Sequence, residues 1–506
     1  MPAAASVRHV MAGMVPSSRL ILITMRKAKI VCTIGPASQE PAVLERLIDA
    51  GMNVARLNFS HGTQASHGAA IQAIRAAADR RGAAVAVLQD LQGPRIRIAT
   101  VSEGGVELAE GQMVRLVGGQ LRSGGQLGAR ATAAGSMPEL PVTYPHLTRD
   151  VRPGARILID DGRVELSAMT VANGAVECRV KRGGRVTTHK GLNLPGTTIS
   201  APTLTDKDRD DIRFGVGQGV EYLALSFVRG PADIHAARRF VQDCGGDQPI
   251  IAKVERAEAV ESLDAILEAA DGVMIARGDL GVEMGPEAVP LLQKRMIAAA
   301  NRRRRVIITA TQMLESMITE SVPTRAEASD VANAVFDGTD AVMLSGETAS
   351  GRFPVEAVRV MDRIVRAAEA EPTVQASPPA RPSPQGSIAE AMCAAAASAS
   401  ATTEAAVLAV LTESGTTARL LSKQRPGAPI VAFTPHEGIR RRMALFWGVE
   451  PLVMARVDDS DRQLVEVERS LKTNRLVKTG DRMVLLAGTV AGRPGGTNVM
   501  KLHEVE

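Results

Sequence analysis

The sequence predicts an α/β protein: a (β/α)8 barrel with an inserted small β-barrel lid domain, followed by a C-terminal α/β domain. The first observation is a series of eight short apolar runs rich in β-branched residues, each followed by a turn and a helix-like stretch. The second is a Gly-rich interruption after the third run, and the third is a Pro-rich segment after the eighth. The runs are residues 29–35, 53–59, 84–90, 221–227, 250–255, 272–276, 306–311 and 341–345.

The barrel follows from the number of these runs. Amphipathic stretches such as 41–50 and 262–270 alternate with them, and eight parallel βα units close into a TIM barrel. We therefore assign residues 25–94 and 191–370 to the two parts of the barrel. Between them, residues 95–190 carry Gly-rich turns and short alternating segments, which predict an all-β lid domain inserted in a βα loop.

The remaining segments flank the barrel. Residues 371–387 are rich in Pro, Ser and Ala, which indicates a linker. Residues 388–506 show strand–turn–helix patterns again and predict a smaller α/β regulatory domain, with strands expected at 406–412, 429–434 and 483–488. We expect residues 1–24 to form a loose N-terminal extension, with Met25 as an alternative start.

Composition restricts the class of protein. The chain of 506 residues is 45% hydrophobic and 23% charged, with a formal charge of only +5. One Trp and two Tyr offer few stacking platforms, so we expect no nucleic-acid partner, and no run approaches the ~18 apolar residues of a membrane span. The widely spaced cysteines form neither a disulfide framework nor a CxxC metal site and fit a cytoplasmic protein; they are Cys32, Cys178, Cys244 and Cys393.

The most informative side chains follow the predicted strands at their C-terminal ends, where barrel enzymes carry their reactive groups. Lys253 and Glu255 lie two residues apart on the fifth strand, so they point to the same side. Asp279 follows the sixth strand in a Gly-bounded turn, and two carboxylates plus substrate oxygens form a typical Mg²⁺ site. Taken alone, these residues fit an ordinary Lys–Glu ion pair and a turn aspartate equally well.

The second and third strands also end in polar side chains. Arg56, Asn58 and Ser60 alternate at the end of the second strand, where the guanidinium group suits a phosphate. Asp90 and Arg97 flank a Gly-Pro turn after the third strand. The alternative interpretations are a helix cap and a solvated turn.

Hydroxyl groups end the last two strands. Thr311 ends the seventh strand, where it could relay a proton, and Ser345, Glu347 and Thr348 close the eighth. N-capping of the following helices is the alternative interpretation for both places.

Together these segments resemble the pyruvate kinase family from about Lys27 to the C-terminus. The motifs KIVCTIGPAS, RLNFSHG, KGLNLPG, LSFVR, AKVE, ARGDLG, ATQMLESM, PTRAEASDVANAV and MLSGETA occur in that family's order and spacing. The resemblance implies a cytoplasmic glycolytic enzyme that transfers a phosphoryl group from phosphoenolpyruvate to ADP, giving pyruvate and ATP. It also implies Mg²⁺ or Mn²⁺ as cofactor, a mobile lid and usually a homotetramer.

The resemblance assigns roles to the matching residues. Lys253 would stabilise the enolate as phosphate departs, and Thr311 would lie beside the water that relays the proton. Mg²⁺ would be held by Glu255 and Asp279. Phosphoenolpyruvate would contact Arg56, Lys253, Gly278, Asp279 and Thr311, and the nucleotide phosphates would contact Asn58, Arg97 and Lys190.

The chain departs from the family after the third strand. Potassium-dependent members read Thr-Lys-Gly-Pro-Glu after the aspartate, whereas Arg95 replaces the acidic residue here. A fixed guanidinium group could supply the charge of K⁺, which predicts activity without K⁺. A residual monovalent-cation site could still be formed by Asn58, Ser60, Asp90 and Leu91.

Two further segments give weaker signals. The basic run 301–306 is interpreted as a solvated helix end. The loop 412–418 resembles a phosphate loop that holds a sugar-phosphate activator in some family members, although Glu413 argues against an anion there. A sugar-phosphate or nucleotide effector is expected at Thr412, Ser414, Gly415, Thr416 and Thr417.

Two other functions compete with a kinase. One is a different Mg²⁺-dependent barrel enzyme acting on pyruvate or its enolate, such as an aldolase or lyase; the inserted lid with Arg97 and Lys190 argues against it. The other is a catalytically silent relative that binds metabolites or acts as a scaffold. Such a protein is expected to have lost one of the key residues, yet Lys253, Glu255, Asp279 and Thr311 are all present.

Overall fold

The computed structural model describes residues 25–119, 137–371, 386–489 and 496–506. The predicted extension 1–24 and most of the predicted linker 371–387 lie outside the described residues. The chain divides into two compact units, Ala28–Glu369 and a second unit that comprises Ala370–Glu506 with the segment before Ala28.

The larger unit is built on a closed barrel of eight parallel strands, as the eight apolar runs predict. Five-residue strands such as β1 are buried along their whole length, because helices cover the outside of the barrel and side chains fill the inside. The barrel strands are β1 Lys29–Thr33, β2 Val54–Asn58, β3 Ala86–Asp90, β12 Tyr222–Leu225, β13 Ile250–Val254, β14 Gly272–Ala276, β15 Val306–Ala310 and β16 Ala341–Leu344.

Helices follow the barrel strands, and the local sequence sets where several of them begin. Thr63, Thr205 and Thr324 each cap a helix by accepting a hydrogen bond from the backbone N–H three residues on. The α-helices of this unit outside the lid are Pro41–Asp49, Gln64–Arg81, Asp206–Gly217, Pro231–Asp243, Ala257–Glu261, Leu263–Ala269, Arg277–Met284, Val289–Arg302, Arg325–Phe336, Gly346–Ala349 and Pro354–Glu369, with a 3₁₀ helix at Glu315–Ile318.

In the described residues of the inserted domain the single helix is the short Leu147–Asp150 and the other elements are strands, which agrees with the predicted all-β lid. Its described strands form a six-stranded sheet in the order β11-β7-β8-β9-β5-β6 and a two-stranded ladder, β10-β4. A separate aliphatic core holds this lid together. The strands are β4 Val106–Leu108, β5 Met113–Gly118, β6 Glu139–Val142, β7 Arg156–Ile159, β8 Val164–Ala172, β9 Ala175–Arg182, β10 Gly184–Val186 and β11 Leu192–Asn193.

The second unit is the predicted α/β domain. Its described strands form a five-stranded sheet in the order β19-β18-β17-β20-β21, in which β21 is antiparallel to β20 and the other neighbours are parallel. The strands are β17 Val407–Leu411, β18 Ile430–Thr434, β19 Val449–Val453, β20 Arg482–Gly488 and β21 Thr497–Glu504, and the helices in the described part of this unit are Ile388–Thr402, Thr416–Ser422, Glu437–Met443 and Ser460–Thr473. Among the described residues, every helix is too short or too polar to cross a membrane.

The interpretation of the basic run 301–306 as solvated is wrong for two of its arginines. Arg304 is only 5% exposed. Arg305 donates hydrogen bonds to the carbonyls of Leu267 and Glu268, both at 2.8 Å, and burial lowers the pKa of its guanidinium group. These carbonyls lie in the last turn of helix Leu263–Ala269, where basic groups satisfy unpaired acceptors and interact favourably with the helix dipole.

The reactivity of the four cysteines tests how deeply the structure buries them. Cys32, Cys178 and Cys393 are buried, whereas Cys244 at the end of helix Pro231–Asp243 is partly exposed. Burial also raises the pKa of Cys178 to about 12, so its reactive thiolate is scarce. We expect about one thiol to react with a disulfide reagent in the native protein and four in denaturant. A Cys244→Ser variant should lose the native reaction; rapid labelling of that variant would contradict the burial.

Candidate active site

Three charged side chains meet where β2, β3 and β13 end. The Arg56 side chain donates from Nε to Asp90 Oδ2 at 2.7 Å, and its Nη2 lies 2.6 Å from the same oxygen. The Lys253 ammonium lies 3.2 Å from the other oxygen, Asp90 Oδ1. Burial would raise the pKa of Asp90, but Lys253 and Arg56 outweigh it and lower the pKa. The carboxylate therefore stays ionised and fixes two cations at the barrel mouth.

Lys253 also contacts two neighbours on its own side of the barrel. Its Nζ lies 2.8 Å from Glu255 Oε1 and donates to Ser226 Oγ at 2.7 Å. Burial would lower the pKa of Lys253, but the charges of Asp90 and Glu255 raise it overall. The predicted pair of residues 253 and 255 thus lies on one side of the strand, as the two-residue spacing requires.

Glu255 and Asp279 are the predicted metal ligands. Glu255 is 1% exposed, and its Oε2 accepts a hydrogen bond from the Phe227 N–H at 2.7 Å. Burial raises the pKa of Glu255, and the nearby Asp279 charge raises it further against the effect of Lys253. Two carboxylates that repel each other beside a cleft are a donor set that fits a hard divalent cation.

The described residues hold no group of three or more His, Cys, Asp or Glu side chains placed to hold a metal. Arg95 Nη2 lies 3.9 Å from Asp279 Oδ1, so the residue that replaces the family's acidic side chain faces this carboxylate.

Thr311 has a strained backbone. Its φ is 74° and that of Gln312 is 55°, in a region that β-branched residues rarely adopt. Such strain clusters at functional sites where the surroundings hold it in place. Thr311 begins no helix, because the 3₁₀ helix Glu315–Ile318 starts four residues later. The capping interpretation is therefore wrong, and Thr311 lines the cleft instead.

Gly278 lies against the side chain of Thr311, with little room for a side chain of its own. A Cβ atom at residue 278 would lie 2.9 Å from Thr311 Cγ2, which is too close for an ordinary contact. Residues 278 and 311 therefore lie side by side at the barrel mouth.

A cleft of about 630 Å³ separates the lid from the barrel mouth. Its barrel side includes Gly278, Asp279 and Thr311, and its lid side includes Arg95, Arg156 and Arg182. Charged groups on both faces suit an anionic ligand and a cation together.

The predicted nucleotide residues lie partly on the lid. Arg97 and Lys190 are brought together by backbone pairing, because Ile98 N donates to the Lys190 carbonyl at 2.8 Å. The Lys190 ammonium lies 2.8 Å from Asp160 Oδ1. Asn58 is at the end of β2, where its Oδ1 accepts from the Ser60 N–H at 3.1 Å.

Two of the four predicted monovalent-cation residues, Asp90 and Leu91, already bind other groups of the protein. Asp90 is bound by two cationic side chains, as above, and the Leu91 carbonyl accepts from Ser226 Oγ at 2.6 Å. The pKa of His61 is lowered by burial, and by three guanidinium groups in the order Arg97, Arg95 and Arg56. Three guanidinium groups thus place positive charge near His61 at this corner of the mouth.

The polar side chains that follow β16 form hydrogen bonds with neighbouring loops. Glu347 is 2% exposed and accepts from the Leu314 N–H at 3.1 Å and the Ser345 N–H at 2.7 Å, while Thr348 Oγ1 donates to the Thr33 carbonyl at 2.9 Å. Burial raises the pKa of Glu347. These residues fix the loops around Thr311, and Ser345 makes no side-chain cap.

The predicted effector loop forms a turn between β17 and helix Thr416–Ser422. Gly415 N donates to Thr412 Oγ1 at 3.0 Å, and Gly415 has a φ of 80°. Within the same loop, Glu413 lies 2.9 Å from His436 Nε2 and 3.0 Å from Arg456 Nη2. The hydroxyl pairs in the loop are Ser414 with Thr416 and Thr417 with Thr497. Glu413 thus already contacts two basic side chains beside this loop, those of His436 and Arg456.

Sequence reasoning missed three residues of the site, Ser226, Phe227 and Arg277. Ser226 and Phe227 directly follow β12, so the rule that strand ends carry function could have found them. Phe227 has a φ of 55°, which turns its N–H toward Glu255. Arg277 directly follows β14, so the same rule could have found the residue, whereas its hydrogen bond to the Thr311 carbonyl joins segments far apart in the sequence.

Comparisons with known proteins agree with this geometry. Residues 25–358 match the family model described as the barrel domain of pyruvate kinase, and residues 390–503 match the model of its alpha/beta domain. The chain is 44% identical over 486 residues to a pyruvate kinase of Sporosarcina psychrophila, covering 95% of this chain and 81% of that protein. It is 43% identical over 483 residues to a pyruvate kinase of Mycobacterium tuberculosis strain H37Rv, covering 95% and 98%.

A solved structure is also similar. The crystal structure of a pyruvate kinase from Cryptosporidium parvum has a TM-score of 0.85 and 35% sequence identity to this chain. The match covers 96% of this chain and 97% of that one. The similarity therefore extends over the barrel, the lid and the C-terminal domain.

Proposed function

Because the chain belongs to the pyruvate kinase family, we propose that it transfers the phosphoryl group of phosphoenolpyruvate to ADP, giving pyruvate and ATP in a Mg²⁺-dependent reaction. The observation that supports this most is the cluster of Lys253, Asp90 and Glu255 at the barrel mouth, with Asp279 beside it. The test is formation of pyruvate from phosphoenolpyruvate and ADP, with and without Mg²⁺. A chain that needs no ADP would instead support the aldolase or lyase alternative, and no pyruvate at all would support the silent relative.

The chemistry requires charge neutralisation more than covalent help. Glu255 and Asp279 would hold Mg²⁺, which when bound neutralises phosphate charge and polarises the oxygens it binds. Arg56 and Lys253 supply fixed positive charge, because Asp90 holds both groups in place. Lys253 would then stabilise the enolate oxygen as the phosphoryl group leaves.

Protonation of the enolate completes the reaction. Thr311 lies at the mouth opposite Gly278, where its hydroxyl would order the water that delivers a proton to the methylene carbon. Closure of the lid over the cleft would exclude bulk water from the transferable phosphoryl group. Arg97 and Lys190 would bring the nucleotide phosphates to the same cleft from the lid, with Asn58 opposite.

We further propose that K⁺ is not required. Arg95 contributes positive charge next to His61 and Asp279, at the corner where the monovalent-cation residues lie. Its guanidinium group is permanently charged, so it would replace the bound cation.

The potassium proposal has a direct test. We expect equal activity in K⁺ and tetramethylammonium salts at the same ionic strength for the wild type. Arg95→Glu should lose about 10²-fold in activity without K⁺ and regain part of it with K⁺. Arg185→Glu, a charge reversal at an exposed lid residue, should behave as the wild type. Strong activation of the wild type by K⁺ would refute the proposal.

Regulation and assembly follow the family. We propose a homotetramer in the cytoplasm with a sugar-phosphate or nucleotide effector at the loop of Thr412 and Gly415. The four cysteines are free, which suits a reducing compartment. Light scattering of the purified protein tests the tetramer, and activity at subsaturating phosphoenolpyruvate with added sugar phosphates or nucleotides tests the effector.

A further inference from the structure

We propose that Arg277 is a positioning residue that holds Thr311 in its strained conformation, an inference that rests on the proposed function of Thr311. Arg277 is the first residue of helix Arg277–Met284 and is 8% exposed. Its Nη2 donates to the Thr311 carbonyl at 2.7 Å, and its Nε lies 3.2 Å from the same carbonyl and from that of Ala310. One guanidinium group therefore binds the end of β15 and the turn that follows it.

The other side of this guanidinium group is fixed as firmly. Nη1 donates to Asp330 Oδ1 at 2.7 Å and to Gln293 Oε1 at 3.2 Å, and Nη2 lies 2.7 Å from Asp330 Oδ2. Asp330 belongs to helix Arg325–Phe336 and Gln293 to helix Val289–Arg302. Because two helices hold Arg277 from behind, it can keep the Thr311 carbonyl in one place.

The strained backbone of Thr311 needs a contact that holds it in place. A β-branched residue at a φ of 74° returns to an ordinary conformation unless its surroundings prevent it. Release of the Thr311 carbonyl would let the backbone rotate and move the hydroxyl away from the substrate. Lysine at 277 keeps the charge but cannot form the forked contacts to two carbonyls and a carboxylate.

A double-mutant cycle tests the proposal. The variants are Arg277→Lys, Thr311→Val and the double variant, each measured for pyruvate formation and for exchange of the C3 hydrogens of pyruvate with D₂O in the presence of Mg²⁺ and ATP. We expect Arg277→Lys to slow C3 exchange by about 10²-fold with little change in KM for ADP. The double variant should be no slower than Thr311→Val alone, because the two residues act as a unit.

Multiplicative losses in the double variant, or a change confined to KM for ADP, would overturn the positioning role. The matched control is Arg303→Lys, at the opposite end of β15, where the side chain pairs with Asp264 and Glu268. If Arg277→Lys fails to fold, Asp330→Asn replaces it in the same cycle with the same expected non-additivity. A wild-type chain that makes no pyruvate would refute the proposed function itself, which separates the two failures.

Discussion

Lys253→Met is expected to reduce kcat for pyruvate formation by at least about 10³-fold. The ammonium group lies 2.8 Å from Glu255 and 3.2 Å from Asp90, so methionine removes the buried positive charge assigned to the enolate while keeping a long unbranched side chain. Substrate binding should weaken less than turnover, because the enolate charge develops only as the phosphoryl group leaves. Steady-state kinetics with phosphoenolpyruvate, ADP and Mg²⁺ measure both effects.

The same substitution should destabilise the protein. Glu255 and Asp90 lose a partner in a buried site, and an uncompensated buried charge costs about 3–5 kcal/mol. Denaturant unfolding measures this cost, and Lys253→Arg separates it from catalysis by keeping a charge in an altered geometry. The control is Lys501→Met, which removes a 46% exposed lysine whose partner Asp461 is itself 88% exposed. Near-normal turnover in Lys253→Met would contradict the enolate role.

Several residues at the barrel mouth can be predicted from the sequence alone. The alternation of Lys253 and Glu255 predicts that both point to one side, and the strand-end rule selects Arg56, Asp279 and Thr311, because both follow from repeating local geometry. The fold is equally accessible, since eight apolar runs of similar length have few other solutions.

Contacts between segments that are far apart in the sequence cannot be predicted from local sequence rules. The bond from Ser226 to the Leu91 carbonyl and the bond from Arg277 to the Thr311 carbonyl depend on how loops meet in space. Arg305 shows the same limit: consecutive arginines suggest solvation, and only the position of the helix ending at Ala269 shows what this side chain binds. The residues at strand ends can thus be predicted from local sequence, whereas the contacts that hold them in place cannot.

Glu255→Gln is expected to raise the Mg²⁺ concentration for half-maximal activity by about 10²-fold or more. The amide oxygen can still accept from the Phe227 N–H, so the loop geometry should survive. The lost charge matters because hard cations strongly prefer carboxylates, and Asp279 alone would hold the metal. Magnesium titrations of the steady-state rate measure the shift, and binding of Mn²⁺ without substrates, followed by the resonance signal of the free ion, measures it without turnover.

The matched control for this change is Glu258→Gln, three residues along the chain, where the carboxylate pairs with Arg256 at 2.7 Å. Both variants remove one negative charge from the same stretch of chain, so a general change in surface charge affects both alike. If the Mg²⁺ concentration for half-maximal activity rises in Glu255→Gln but not in Glu258→Gln, the cation is assigned to the pair of Glu255 and Asp279. Equal Mg²⁺ dependence in both variants would contradict that assignment, because the buried carboxylate would then serve only to hold Lys253 and the Phe227 turn.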